Sequence, residues 1–299
     1  MNYGLHLLIY FDIYAILALS LNLIVGNSGL FTMAQAAYFA VGGYTYAILT
    51  MNFGFGFIPA AASAMFVGGI LSLAVSLPAW RFRGDFFVLI TLAVQSLLFN
   101  VINNWSNTDF PPGTIRNLTN GPLGLAGIAG PTIWGTKLDT MRSLSVLSSV
   151  LLVICCLVFW LLQVSPWVRL LKSMRDDELA ARGLGKNVRL LKIQVLTIGC
   201  AFAALSGAVY SSYVTFIDPS IATLDQSILL LSMLIVGGTG NFRGPLVGAA
   251  VLLALPEILR LVQLPDWMAG NVRLLVYGLL LIAMVHFRPQ GLAGEYKLR

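Results

Sequence analysis

SPWVRLLKSMRDDELAARGLGKNVRLLK, residues 165–192, holds seven of the chain's eighteen Lys and Arg residues and three of its twelve Asp and Glu. Apolar runs of membrane-spanning length lie on both sides of it. A basic, helix-prone insert between such runs reads as a loop kept on the cytoplasmic side, because positive charge is retained there. Working outward, the apolar stretches are Leu5–Val25, Ala36–Met51, Phe57–Trp80, Phe86–Ile102, Leu144–Val164, Ile193–Val214, Gln226–Val236, Pro245–Val262 and Val272–Phe287. The expected fold is an all-α, polytopic transmembrane bundle of about eight to ten spans, with short or broken helices. It forms one domain over residues 1–299.

Composition agrees. Hydrophobic residues make up 58% of the chain and charged residues 10%, against roughly 25% charged in a soluble domain. A net charge of +6 raises the question of nucleic acid, but the basic residues sit in short loops without an aromatic-interleaved face, so no nucleic-acid partner is expected. Cys155, Cys156 and Cys200 fall inside apolar runs without metal-ligand spacing and read as small buried hydrophobes; no metal site is expected. The first run lacks a basic leader and reads as a span.

Lys and Arg placement sets the orientation. The turn Arg81–Asp85, the loop 165–192 and the tail from Arg288 are basic and are expected in the cytoplasm, while residues 215–225 contain no Lys or Arg. The loop 103–143, rich in Pro, Gly and Asn, then faces the periplasm as an ordered, turn-rich contact surface.

A nine-residue motif recurs. LIVGNSGLF (residues 23–31) and LIVGGTGNF (residues 234–242) lie 211 residues apart and agree, counting Ser/Thr as equivalent, at seven of nine positions. Transporters are commonly built from duplicated halves, with cargo passing near glycine-broken helices. Gly26, Ser28, Gly29, Gly237, Thr239 and Gly240 are therefore candidates for the translocation path. A plain span count makes the two copies parallel; one missed re-entrant helix would invert them, and the sequence leaves both open.

Within the basic loop, Ser165 followed by Pro166 is an N-cap with proline at the first helical position. Asp176, Asp177 and Glu178 favour the N-terminal end of a second short helix, expected over residues 176–182, and Gly183 or Gly185 can end it in a left-handed cap. Its small residues Ala180 and Ala181 let such a helix seat deeply in a partner's groove. Of the ionisable residues in or next to apolar runs, Asp225 and His286 read as interfacial and Glu257 as a partner of Arg260, leaving Asp12 as the intramembrane group with a claim on function. GLGKN (residues 183–187) lacks the first glycine and the final hydroxyl of a phosphate-binding loop, so the chain binds no cofactor and any ATP with its magnesium belongs to other chains.

The run RDDELAARGLGKNVRLLK resembles the ATPase-coupling loop of the branched-chain amino acid ABC transporter permeases. The same family is similar at residues 20–49, 81–93 (RFRGDFFVLITLA), 120–128 (NGPLGLAGI), 234–250 and 287–292 (FRPQGL), in the family's order and over nearly the whole chain. RFRGDFF and FRPQGL point to its LivM-type members. The resemblance implies a non-catalytic permease subunit in the bacterial inner membrane, working with a second, LivH-like permease, two ATPase subunits and a periplasmic solute-binding protein. It implies that Arg175, Asp176, Asp177, Glu178, Ala180, Ala181, Arg182, Gly183 and Gly185 couple to the ATPases. The cargo implied is a branched-chain or other neutral amino acid, with urea or short amides as the alternative. Glu178-Leu179-Ala180-Ala181 departs from the simpler Glu-Ala-Ala pattern, which leaves open which alanine packs deepest. A stand-alone secondary transporter is the competing class, and it has no use for an ATPase-docking helix.

Overall fold

The computed structural model describes residues 2–79, 84–107, 109–133, 135–261, single positions between 272 and 286, and 290–293. Its main chain is almost wholly helical: α1 (Asn2–Ser28), α2 (Gln35–Phe53), α3 (Phe57–Leu71), α4 (Leu73–Ala79), α5 (Asp85–Asn104), α6 (Met141–Val164), α7 (Pro166–Asp176), α8 (Glu178–Gly183), α9 (Val188–Val214), α10 (Leu224–Gly237) and α11 (Arg243–Leu261). Among the described residues, five stretches are long and apolar enough to cross a membrane: Tyr3–Ser28, Phe57–Leu77, Phe86–Asn104, Met141–Val164 and Val188–Val214. The chain is a multi-pass membrane protein. Much of the last expected span, the turn residues Arg81–Arg83 and the Arg260 side chain of the expected Glu257–Arg260 pair lie outside the described residues or side chains. Glu257 itself accepts a hydrogen bond from the Tyr3 hydroxyl.

α1 and α9 form the core. Both are apolar on most faces and run 27 residues, and a helix without a polar face must be enclosed by others. α9 packs on α1, α2, α3 and α4. Its approach to α2 depends on absent side chains, since a Cβ on Gly42 would stand 2.0 Å from the Ala204 carbonyl oxygen and one on Gly207 would stand 1.8 Å from that of Phe39. Small residues at such crossings let backbones touch, which is the main source of helix association in lipid. α6 contributes the opposite surface, and its exposed positions from Val146 to Val164 are all apolar.

Two ends are distinct. α7 and α8 mark a basic end; residues 103–143 mark a loop end, where short strands β1 (Leu125–Ala126) and β4 (Phe216–Ile217) pair antiparallel, as do β2 (Thr132–Ile133) and β3 (Thr136–Lys137). Asn52 at the end of α2 donates to the Gly113 carbonyl, tying the loop to the bundle.

Three expected boundaries shift. α9 begins at Val188, five residues before the expected Ile193, because Asn187 Oδ1 accepts the Leu190 amide as an N-cap. α1 continues through Gly26 to Ser28, so the first break starts at Gly29. The third span turns at Ser72, whose hydroxyl donates to the Gly69 carbonyl and to Thr197.

Two elements start inside the bundle. Residues 29–34 return from the basic end as non-helical backbone, and Gln35 at the start of α2 donates to Ser20, eight residues inside the end of α1. α10 spans 14 residues, about 21 Å at 1.5 Å per residue, against a hydrocarbon core of about 30 Å. It is preceded by non-helical residues 215–218 and a 3-10 turn at Pro219–Ala222.

Candidate functional site

The basic end is assembled by local rules. Ser165 Oγ accepts the Val168 amide at 3.3 Å, with Pro166 at the first helical position. Asp177 Oδ1 accepts the amides of Leu179 and Ala180 at 2.8 and 3.0 Å. The second helix therefore begins at Glu178, with Asp177 as its cap and Asp176 ending the preceding helix, in place of the expected start at Asp176. It closes in a paired-carbonyl turn: Lys186 N donates to Ala181 O and Gly185 N to Arg182 O, with Gly185 at φ 74°.

Side-chain directions divide the expected coupling residues. Ala181 is 4% exposed and packs on its own chain, whereas Ala180 is exposed. Glu178 is committed inward too, pairing with Arg182 at 2.7 Å and with buried Lys192 at 3.2 Å, which fixes α8 against the start of α9. The outward face carries Ala180, Arg182 and Gly183, flanked by Leu179 at 68% and Leu184 at 78% exposure.

Arg175 faces the bundle. Its guanidinium donates to the Gly26 carbonyl at 2.6 Å and pairs with Asp176 at 3.2 Å, and its aliphatic part lies against Gly29. The Gly26 carbonyl belongs to the last turn of α1, where carbonyls lack a helical partner and a cation is favoured.

The two glycine motifs meet there. A Cβ on Gly26 would stand 2.8 Å from the Gly240 amide nitrogen. Asn22 spans the contact: its Oδ1 accepts from Gly240 N at 3.1 Å and its Nδ2 donates to Asn241 O at 2.8 Å. Gly29 and Gly240 take positive φ, 71° and 88°, while Gly237 packs against Gly244 and Gly248. Gly26, Ser28, Gly237, Thr239 and Gly240 are all buried, and within this chain they form a packed joint. Gly29 is exposed and lines a cavity of about 470 Å³ with Leu30–Met33, Gly84, Phe87, Val88 and Leu231. The tail closes the second break, Leu292 N and Ala293 N donating to the carbonyls of Val236 and Gly237.

Sequence reasoning missed Gln95. This residue of α5, 2% exposed, accepts the Ala37 amide at 3.1 Å through Oε1 and donates through Nε2 to the Ala222 carbonyl. One amide thus joins the starts of the two elements that begin inside the bundle. Thr91 Oγ1 accepts Met33 N and Ser227 Oγ accepts Ala36 N, so buried backbone is satisfied where water is absent. The available signal was an isolated amide in the apolar run FFVLITLAVQSLLF. Asp12 is buried, accepting from Ser148 at 2.6 Å and Ser149 at 2.9 Å, which makes it a tie between α1 and α6. His286 is exposed.

These features define a polytopic membrane bundle with helices that start inside it, a contact between two glycine motifs and a short helix with exposed leucines at its basic end. The chain belongs to the family described as the permease component of the branched-chain amino acid transport system, whose description matches residues 4–285. It is 28% identical to the high-affinity branched-chain amino acid transport system permease protein LivM of Escherichia coli strain K12, over 94% of this chain and 67% of that one. It is 25% identical to a probable branched-chain amino acid transport permease protein LivM of Methanocaldococcus jannaschii, over 97% of this chain and 92% of the relative. The autoinducer 2 import system permease protein LsrC of Salmonella paratyphi B is 25% identical over 68% of this chain and 54% of its own length. No solved structure matches the chain.

Proposed function

We propose that this chain is one of two permeases of an ATP-driven importer in the bacterial inner membrane, carrying branched-chain or related neutral amino acids received from a periplasmic binding protein. The observation that carries the reading is the α8 surface, where Leu179, Ala180 and Leu184 stand exposed at the basic end beside Arg175, which reaches the glycine joint. ATPase subunits seated on that surface would move α8 together with α7, on which it packs, with the Glu178–Lys192 pair linking both to α9. Arg175 would pass the motion to the end of α1, and the Gly26–Gly240 contact would pass it to α10 and α11. ATP and magnesium stay on the partner chains. Chemistry adds nothing further here: the work is a differential stabilisation of two arrangements of the bundle.

Reconstitution tests it. With a LivH-like permease, two ATPases and a binding protein, vesicles should take up leucine only when ATP is supplied, and the chain alone should take up none. Robust leucine uptake by this chain alone without ATP would establish a secondary carrier and overturn the proposal.

A further inference from the structure

The sequence places Asp225 at a membrane interface; the structure places it deeper. It lies in the first turn of α10, three residues past the Ala222 carbonyl held by Gln95. Gln95 is nine residues from the loop end of α5, about 14 Å down the helix. Asp225 is exposed and has no hydrogen-bond or ion-pair partner among the described residues. A bare carboxylate at that depth is not stable against lipid tails, and non-helical backbone such as residues 215–223 survives there only inside protein or beside water. The exposed face of α6, apolar from Val146 to Val164, shows what a lipid-facing surface of this chain looks like. The face carrying Asp225 differs by that one carboxylate, its other exposed residues being Leu224 and Ile228.

A further observation falls on the same face. Asp225, Ile228 and Leu231 are spaced three apart along α10, and Leu231 lines the cavity of about 470 Å³ bounded by Gly29–Met33 and α5. A stripe therefore runs from Asp225 to an open space beside the joint that Arg175 touches.

We infer that the Asp225–Leu231 face of α10 lines the translocation route and that Asp225 accepts the cargo's ammonium group. The inference rests on the proposed import of zwitterionic amino acids, whose ammonium is the group a lone carboxylate recognises. The packed glycine joint is then the hinge of the route, and its wall is one helix face away.

The assembled transporter tests this in two arms, after wild-type complex has shown ATP-driven leucine uptake, so that a failed importer reading is seen separately. In the first, Asp225→Cys is placed in a chain with Cys155, Cys156 and Cys200 replaced by alanine and is treated with a membrane-impermeant trimethylammonium thiosulfonate. It should react, and its rate should change when nucleotide is trapped, while Leu157→Cys on α6 stays unreactive. In the second, Asp225→Asn, an isosteric change at an exposed position, should lower leucine uptake about tenfold with binding-protein-stimulated ATP hydrolysis retained. Protection of Asp225→Cys in every nucleotide state overturns the inference, and so does undiminished uptake in Asp225→Asn.

Discussion

Replacing Arg175 with methionine should separate ATP hydrolysis from transport. The side chain is nearly buried, with 10% of it exposed, and its bond to the Gly26 carbonyl measures 2.6 Å. A hydrogen bond to a charged group contributes about 1.5–3 kcal/mol, and a partly buried cation at a helix C-terminus adds up to about 2 kcal/mol. Methionine keeps the aliphatic contact with Gly29 and loses both terms. Taking about 2 kcal/mol as the net loss, the docked arrangement of α7 on α1 becomes about thirty-fold less favoured. The outward face of α8 is untouched, so ATPase subunits should still bind and hydrolyse. The expected result is a fall of about tenfold in leucine transported per ATP hydrolysed, with Arg175→Lys intermediate because it keeps the charge and loses the planar fork. An unchanged ratio in Arg175→Met, or a parallel fall in both activities, would refute the claim that this bond carries the motion.

Leu179→Asp together with Leu184→Asp should weaken ATPase binding by about thirty-fold, the loss of about 2 kcal/mol expected when a contact's anchors are removed, and should leave the detergent-solubilised permease as stable as wild type; retained co-purification of the ATPases would show that another surface docks them. Gln95→Leu should strand the Ala37 amide and the Ala222 carbonyl, each costing about 1–3 kcal/mol when buried, whereas Gln95→Glu keeps an acceptor for Ala37. A lower melting temperature and lost uptake are expected for leucine, with glutamate less affected, and equal melting of Gln95→Leu and wild type would remove the clasp from the argument.

What the sequence showed and hid follows from the range of each interaction. The helix start at Ser165 was legible, and the second helix was placed to within two residues with Gly185 as one of two candidate ends, because capping is decided within four residues. The spans were legible because lipid demands unbroken apolar runs. The facing of Ala180 and Ala181 was not, since it depends on which way α8 leans, and that is set by Glu178 reaching Lys192, fourteen residues on. Gln95 was hidden for the same reason. Its partners lie 58 and 127 residues away, and nothing in a local window marks one amide as a clasp. The glycine motifs were ambiguous for another reason: Gly with Ser or Thr at a helix break is the signature of a lined cavity and equally of two backbones in contact. Within this chain the contact is seen, since a Cβ on Gly26 would stand 2.8 Å from the Gly240 amide nitrogen.

The repeat itself has been divided in use. α1 and α10 both run from the loop side to the basic end, so the two copies are parallel, as the span count suggested. Their environments differ. Asn22 caps the second break, but the position 211 residues on is Met233, which cannot return the favour; its carbonyl is instead packed under Gly248. Arg175 holds the first break, whereas the second is held by Leu292 and Ala293 of the tail. A symmetric pair would respond identically to a push from the basic helices. Here Arg175 touches the first copy, and Asn22 with the Gly26–Gly240 contact ties it to the second, while α10 also packs on α2 and α11. The two similar joints are therefore held by different partners, and the push proposed above would enter at the first.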